Sequence, residues 1–437
     1  MQVYSADWLL PVDAPPIADG AVAIENGRIA AVGAAGELGT GTRFEEAAII
    51  PGFVNTHSHL EYSVYAGFGD GLADFPAWIS LHVERKRRIG WDDFVAIAEL
   101  GAAECLSSGI TTVGDCSYSG AAALACDRLG LRAIVYLEVF GADPDDVLER
   151  HSRLRTRAEA AFSERVQPGV SPHAPYTVSP EAYEACASLG LPIATHLSES
   201  PSELDYLLRG EGTWAGYSDL LVEPPGTTGP RLLADRGLLG RGVLAAHCTY
   251  VDAEEIELLS RSGAGVAHCP RSNAWLGCGL APLADLRASG VGVGIGTDSP
   301  ASTPSFDFFD ELRSAVLVSR GRERRPDALS ATEALELGTL GGAQALAMED
   351  EIGSLAVGKR ADLAVISLAG SAYVPWEDPA AAIVFGGSPP RVTLTMVGGE
   401  VRYEKGGVEW HDLRRRAANA RSLMLAGSSD APAVAPA

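Results

Sequence analysis

Hydrophobic and polar positions change rhythm twice along the chain. Near the start, short apolar runs are broken by turn residues. Ala21-Val22-Ala23-Ile24 and Arg28-Ile29-Ala30-Ala31-Val32 flank Glu25-Asn26-Gly27, and Asn-Gly is the dipeptide that tolerates the left-handed backbone of a tight hairpin. The same rhythm returns at 361–366, and at 392–397 before Gly398-Gly399. Between these ends, short apolar stretches alternate with longer segments of helical period. Eight strands are predicted, at 52–57, 110–114, 133–139, 166–172, 192–196, 242–247, 265–268 and 291–297. Alternation of this kind predicts a parallel sheet, and eight units predict a closed ring, although a doubly wound open sheet satisfies the same periodicity. The expected fold is therefore α/β: a (β/α)8 TIM barrel over 51–354, with a small β-sandwich domain built from both termini, 1–50 and 355–410. The small, polar, proline-containing stretch 426–437 is expected to be a disordered tail.

Candidate chemistry follows from where the histidines fall on this scheme. Of nine, five close or immediately follow a predicted strand: His57, His173, His196, His247 and His268. Asp298 follows the eighth strand. In a parallel barrel these positions share the rim where active sites are built. One strand-end histidine is an ordinary core residue; five with an aspartate are hard to explain by packing. His57-Ser58-His59 sets two imidazoles on one side of an extended chain. These two imidazoles plus a third, with one carboxylate, suit Zn²⁺, with Fe²⁺ as the alternative. The fourth strand and its end, 166–173, contain no lysine that might bridge a second ion, so one divalent metal is expected. Glu199, three residues after His196, can carry a proton over such a site. The competing reading is a carboxylate favoured at a helix N-terminus. His247 is the second candidate proton carrier.

Composition narrows the partners. A formal net charge of −23 repels phosphates and anionic lipid, so neither nucleic acid nor a membrane is an expected partner. Arg85-Lys86-Arg87-Arg88 is a local exception that reads first as a solvated helix face. No run of about 18 apolar residues and no signal-like start are visible, and the seven cysteines show no C-x-x-C pair. Reduced, buried thiols in a cytoplasmic enzyme are expected. Three look-alikes fail. Residues 353–359 imitate a P-loop but Arg360 stands where Ser or Thr is needed; His59-Leu60-Glu61 lacks a P-C-x-x-C partner; H-E-x-x-H is absent.

The long motifs Pro51-Gly52-Phe53-Val54-Asn55-Thr56-His57-Ser58-His59 and 352–363 resemble the amidohydrolase superfamily. Ser171-Pro172-His173-Ala174-Pro175-Tyr176, His268-Cys269-Pro270-Arg271-Ser272-Asn273 and Gly296-Thr297-Asp298-Ser299 are similar to its branch of adenosine-derivative deaminases and triazine chlorohydrolases. The resemblance implies one metal on His57, His59, His196 and Asp298. It implies Glu199 as proton shuttle, His247 and Asp298 as partners of the attacking water, and His173 as a substrate contact. The implied reaction is hydrolytic loss of ammonia from the amine-bearing ring carbon of an adenine-type nucleoside. Methylthioadenosine, S-adenosylhomocysteine or aminodeoxyfutalosine are the implied substrates; the last carries a benzoate, and a cation within 85–88 is the expected partner for it. Trp78 and Glu84 are the implied substrate-binding residues, with Arg87 standing where this branch usually places a ribose-binding glutamate. The alternative within the resemblance is release of chloride or an alkylamine from a triazine or other heterocycle. A non-catalytic metal scaffold is the alternative outside it, and two proton carriers beside the ligands argue against that. A homodimer is the base-rate expectation.

Overall fold

The computed structural model describes residues 1–72, 74–214, 221–370, 377–407 and 410–426. The expected tail lies, apart from Ala426, outside the described residues. Four strands lead the chain: β1 (Gln2–Leu9), β2 (Ile17–Glu25), β3 (Arg28–Ala34) and β4 (Thr42–Pro51). Eight more follow: β5 (Phe53–Ser58), β6 (Ile110–Ser117), β7 (Arg132–Val139), β8 (Val166–Pro172), β9 (Ile193–Leu197), β10 (Val243–His247), β11 (Gly265–His268) and β12 (Gly292–Ile295). The last three are β13 (Leu363–Ser367), β14 (Val392–Val397) and β15 (Glu400–Glu404).

Strands β5 to β12 pair in parallel and in sequence order. The ring is completed between its first and last members. Ser58 and Asp298 form a parallel bridge, Asp298 N donates to His57 O at 2.9 Å, and the Asn55 side chain clasps Thr297 through two hydrogen bonds of 2.7 and 2.9 Å. A doubly wound sheet has two free edges and no such closure. Side-chain alternation builds the wall: Ile134 and Tyr136 of β7 join Leu244 and Ala246 of β10 inside the ring, while Val135, Leu137, Val243 and Ala245 lie in the layer under the helices.

The seven remaining strands form one mixed sheet, in the order β15-β14-β13-β4-β1-β2-β3, so its middle joins the two ends of the chain. The β2–β3 hairpin turns at Asn26 and Gly27 with φ of 52° and 75°, the conformation that Asn-Gly predicts. Leu9, Ile49, Leu363 and Val365 pack within the sheet's own apolar cluster. Their alternates Leu10, Ile50, Ala364 and Ile366 share a core with Phe53 and Leu106 of the barrel. Buried Arg132, at the start of β7, donates to Asp362 at 2.7 and 3.1 Å and anchors this contact. A helix that the sequence reading did not anticipate, His411–Leu425, returns to the barrel, where Arg416 pairs with Glu99 and Arg421 donates to Val64 O. All seven cysteines are free and buried, and no described helix is long and apolar enough to cross a membrane.

Candidate functional site

A cavity of about 410 Å³ opens at the C-terminal ends of the barrel strands. His59, His173, His196, Glu199, His247 and Asp298 line it. His57, His59 and His196 each place one ring nitrogen within 4.8 Å of the others, a set that can hold a metal ion. Asp298 Oδ1 lies 3.7 Å from His57 Nε2 and 3.5 Å from His59 Nε2; His59 Nε2 and His196 Nε2 are 3.3 Å apart.

Local backbone explains how these groups meet. Register shifts interrupt β5 against β6 between Phe53 and Val54 and between Asn55 and Ser58, and such irregularities re-aim side chains at a barrel rim. His247 and Asp298 adopt left-handed backbone, φ 73° and 56°, as does Ser198 (φ 52°) beside Glu199. Non-glycine residues take this conformation at a cost of order 1–3 kcal/mol, and such strain clusters at functional sites.

Hydrogen bonds set the ring tautomers. His196 Nδ1 donates to His173 O at 2.8 Å, which leaves Nε2 with its lone pair toward the cluster. His247 Nδ1 donates to Asn273 Oδ1 at 2.9 Å, which likewise frees Nε2, 3.6 Å from Glu199 Oε1. Thr177 Oγ1 gives its proton to Ala174 O and so accepts from His173 Nδ1 at 2.8 Å, freeing His173 Nε2. His57 Nε2 and His247 Nε2 are buried with no protein partner. Orphaned basic nitrogens converging with a carboxylate are the donor chemistry of a divalent-metal site, and these residues fit one.

Electrostatics agree. Burial, then the neighbouring histidines, hold His57 well below the ordinary imidazole range, and burial pulls His196 down to about 4, so the rings are neutral and able to ligate. Burial opposes the charge of Asp298, but His59, His247 and the hydroxyls of Ser272 and Ser302, donating to Oδ2 at 2.6 and 2.7 Å, outweigh it and keep its pKa low. Glu199 goes the other way: burial first, then Asp298, push its carboxyl well up. Two carboxyls with opposite shifts in one site are the signature of divided acid and base roles. Glu199 stands one residue before a helix N-cap and also lines the cavity. Ser200 caps the helix Pro201–Arg209, and Glu203 accepts from the backbone N–H groups of Ser198 and Glu199 at 2.8 and 2.7 Å.

The helix Phe75–Lys86 forms one wall. Trp78, Ile79, His82, Val83 and Lys86 fall on its cavity face, with Arg87 just beyond, as a 3.6-residue period requires. Trp78 donates from Nε1 to Ala301 O at 3.2 Å. The same period carries Glu84 out of the cavity, where it is exposed and pairs with Arg88. That corrects the expectation that Glu84 contacts substrate. The basic run is likewise divided rather than a uniform solvated face. Arg85 stacks on Phe68 at 3.8 Å and Arg88 donates to Met424 O at 2.8 Å, while Lys86 turns inward. Sequence reasoning left Lys86 undistinguished within the basic run 85–88, and missed Glu138, Tyr118 and Phe140 on the cavity wall and Asn273, Ser272 and Ser302 behind the site. Glu138 had a signal: it continues the inward alternation of Ile134 and Tyr136. His268 is buried, but it does not line the cavity.

Known proteins share this arrangement of chain. A 5-methylthioadenosine/S-adenosylhomocysteine deaminase from Symbiobacterium thermophilum is 35% identical over 403 residues, covering 88% of this chain and 89% of that protein. A 5'-deoxyadenosine deaminase from Methanothermobacter thermautotrophicus is 30% identical over 411 residues, covering 91% and 92%. The crystal structure of an adenosine deaminase from Xanthomonas campestris with bound zinc superposes with a TM-score of 0.86 at 27% identity, covering 97% of each chain. Residues 48–402, from the last strand before the barrel to the return into the mixed sheet, match the amidohydrolase family. With the barrel, the rim histidines and relatives that span nearly its whole length, the chain belongs to the amidohydrolase family.

Proposed function

We propose that this protein is a divalent-metal-dependent aminohydrolase that removes ammonia from an adenine-type nucleoside. The observation that carries the reading is the opposed pair at the cavity floor. Glu199, its carboxyl pushed up by burial and then by Asp298, stands 3.6 Å from His247 Nε2, beside the cluster of His57, His59, His196 and Asp298. The relatives' names and the size of the apolar cavity support a nucleoside.

His57, His59, His196 and Asp298 would hold one ion, and zinc suits three imidazoles and a carboxylate; the similar adenosine deaminase structure carries bound zinc. A divalent ion in such a site supplies a water of lowered pKa, a nucleophile at neutral pH. The residues of the chain do the rest. Glu199 gives its proton to the ring nitrogen next to the carbon under attack, so negative charge does not build on the ring. His247, its Nδ1–H tied to Asn273, offers Nε2 to take a proton from the attacking oxygen. Asp298 keeps Oδ1 available because Ser272 and Ser302 occupy Oδ2. The proton then passes to the departing amine, which leaves as ammonia. His173 Nε2 accepts from a donor on the substrate, and Trp78 packs against it from the helix wall.

The test is ammonia release by zinc-loaded protein from adenosine, 5'-deoxyadenosine, methylthioadenosine, S-adenosylhomocysteine, aminodeoxyfutalosine, guanine and cytosine, with chloride release from a chlorotriazine as the competing chemistry. Selective turnover of one adenine nucleoside is expected. Glu199→Gln should lower kcat by about 10²- to 10⁴-fold, the usual contribution of a general acid, with zinc content unchanged. Silence on every aminopurine, or full activity of the Gln variant, overturns the reading.

A further inference from the structure

At the rim, β6 grips the segment that carries two of the four candidate ligands. Asp115 of β6 is paired with Ser58 of β5, the first pair after the irregular stretch that holds Thr56 and His57. One oxygen of Asp115, Oδ2, accepts from Ser58 Oγ at 2.8 Å and from Leu60 N at 2.7 Å. These donors are the residues on either side of His59. All three partners are fully buried, and Asp115 Oδ1 has no hydrogen-bond partner among the described residues. The next residue, Cys116, places Sγ 3.8 Å from His57 Nδ1. Beyond it, buried Glu61 accepts from Ser117 Oγ and from Ser119 N at 2.9 Å, so residues 58–61 are tied to the end of β6 and to the turn that follows.

A ligating imidazole needs its second nitrogen or its backbone held, because ring direction sets the metal–nitrogen bond. His196, His247 and His173 each have a partner on Nδ1. His59 differs: its Nδ1 makes no well-formed hydrogen bond and feels only the Cys116 backbone nearby. Tyr62 stacks on the ring at 5.3 Å, which fixes its plane but not its rotation within that plane. The backbone on both sides of His59 is what remains to direct it, and Asp115 holds both sides. For His57, Nε2 faces the cluster without a protein partner, so Nδ1 carries the proton and donates to Cys116 Sγ, a weak acceptor.

Strand pinning alone explains this poorly. A pin would serve anywhere along the β5–β6 pair and would not need a carboxyl. Burial of this one is costly enough to push its pKa well up, with the Leu60 N–H working against that shift. The group nonetheless sits where its two bonds straddle a ligand.

We propose that Asp115 and Cys116 are positioning residues of the metal site: Asp115 sets the direction of His59 through Ser58 and Leu60, and Cys116 holds the tautomer of His57. The inference rests on the reading of His57, His59, His196 and Asp298 as metal ligands, and it places the control of metal affinity on a strand that supplies no ligand.

The experiment titrates zinc from the loaded, full-length protein with a chromophoric chelator, and records the visible spectrum of the Co²⁺-substituted protein and the Tm on the same variants. Asp115→Ala should weaken zinc binding by about 10- to 100-fold and change the Co²⁺ bands, the usual effect of removing an outer partner of a metal ligand. Asp115→Asn, whose carbonyl can accept both bonds, should restore most of the affinity. Ser58→Ala and Cys116→Ala each remove one contact, and each should cost about 3- to 10-fold, half of that effect on a logarithmic scale. If Asp115→Ala does not fold, these two variants decide. A structural pin would lower Tm and leave zinc affinity and Co²⁺ spectrum as in the wild type; that result in the folded variants overturns the proposal, as does an Asn variant no better than Ala. A wild-type protein with no stoichiometric zinc site refutes instead the ligand reading on which it rests.

Discussion

Replacing Asn273 by alanine tests how the proton carrier is set. Asn273 Oδ1 lies 2.9 Å from His247 Nδ1, and both residues are almost wholly buried. With that acceptor present, the ring proton sits on Nδ1 and the lone pair on Nε2 faces Glu199 and the metal cluster. Without it, a buried N–H loses its partner, which costs about 1–3 kcal/mol. The tautomer that places the proton on Nε2 then competes, since nothing else holds Nδ1–H. If this free energy falls on the transition state, kcat drops by about 5- to 150-fold, at roughly tenfold per 1.4 kcal/mol. Asn273 touches no candidate ligand, so zinc content should hold. Asn273→Asp keeps the acceptor and adds a negative charge, which favours the imidazolium and raises the His247 pKa. In that variant the rate should recover, with the acid limb of kcat shifted to higher pH. The assay is ammonia release against pH, with bound zinc measured on the same samples. An alanine variant with full zinc and kcat within about twofold of wild type would refute the assignment.

Other outcomes follow from the scaffold. Arg132→Met strands the buried Asp362 with only the Gly398 N–H at 2.6 Å, and should destabilise the fold by about 3–5 kcal/mol in chemical denaturation; adding Asp362→Asn should recover part of it. His268 is pulled down to about 4 by burial first and His247 second, and neither ring nitrogen has a partner. Its folded pKa lies below the unfolded value of 6.5, so its stabilising contribution is complete above pH 6.5 and is lost as pH falls toward 4. His268→Leu should flatten the loss of Tm across that window, by up to about 1.4 kcal/mol per pH unit in stability. An unchanged slope would place the acid sensitivity elsewhere.

Most of the barrel was legible because its determinants are local. Each predicted barrel strand overlaps an observed one, since a short apolar run between turn residues has few other stable states once helices cover it. The Asn26-Gly27 hairpin was readable for the same reason: two adjacent residues with φ above zero are themselves the turn. The histidines could be placed on one rim without coordinates, because parallel strands bring every C-terminal end to the same face. What period and spacing do not encode is direction. His57 and His247 are aimed by irregular pairing on β5 and by a left-handed strand end. The interior position of Lys86 and the exposed position of Glu84 differ by two residues on one helix, and only its docking decides which face is the wall. Glu138, 52 residues away on β7, comes to line the same cavity as Lys86 only through that docking. Sequence alone determined the strand–helix ladder, the rim and the ligand types. The tertiary structure decided which charges meet, because contacts between distant residues exist only once the barrel has closed and excluded water from between them.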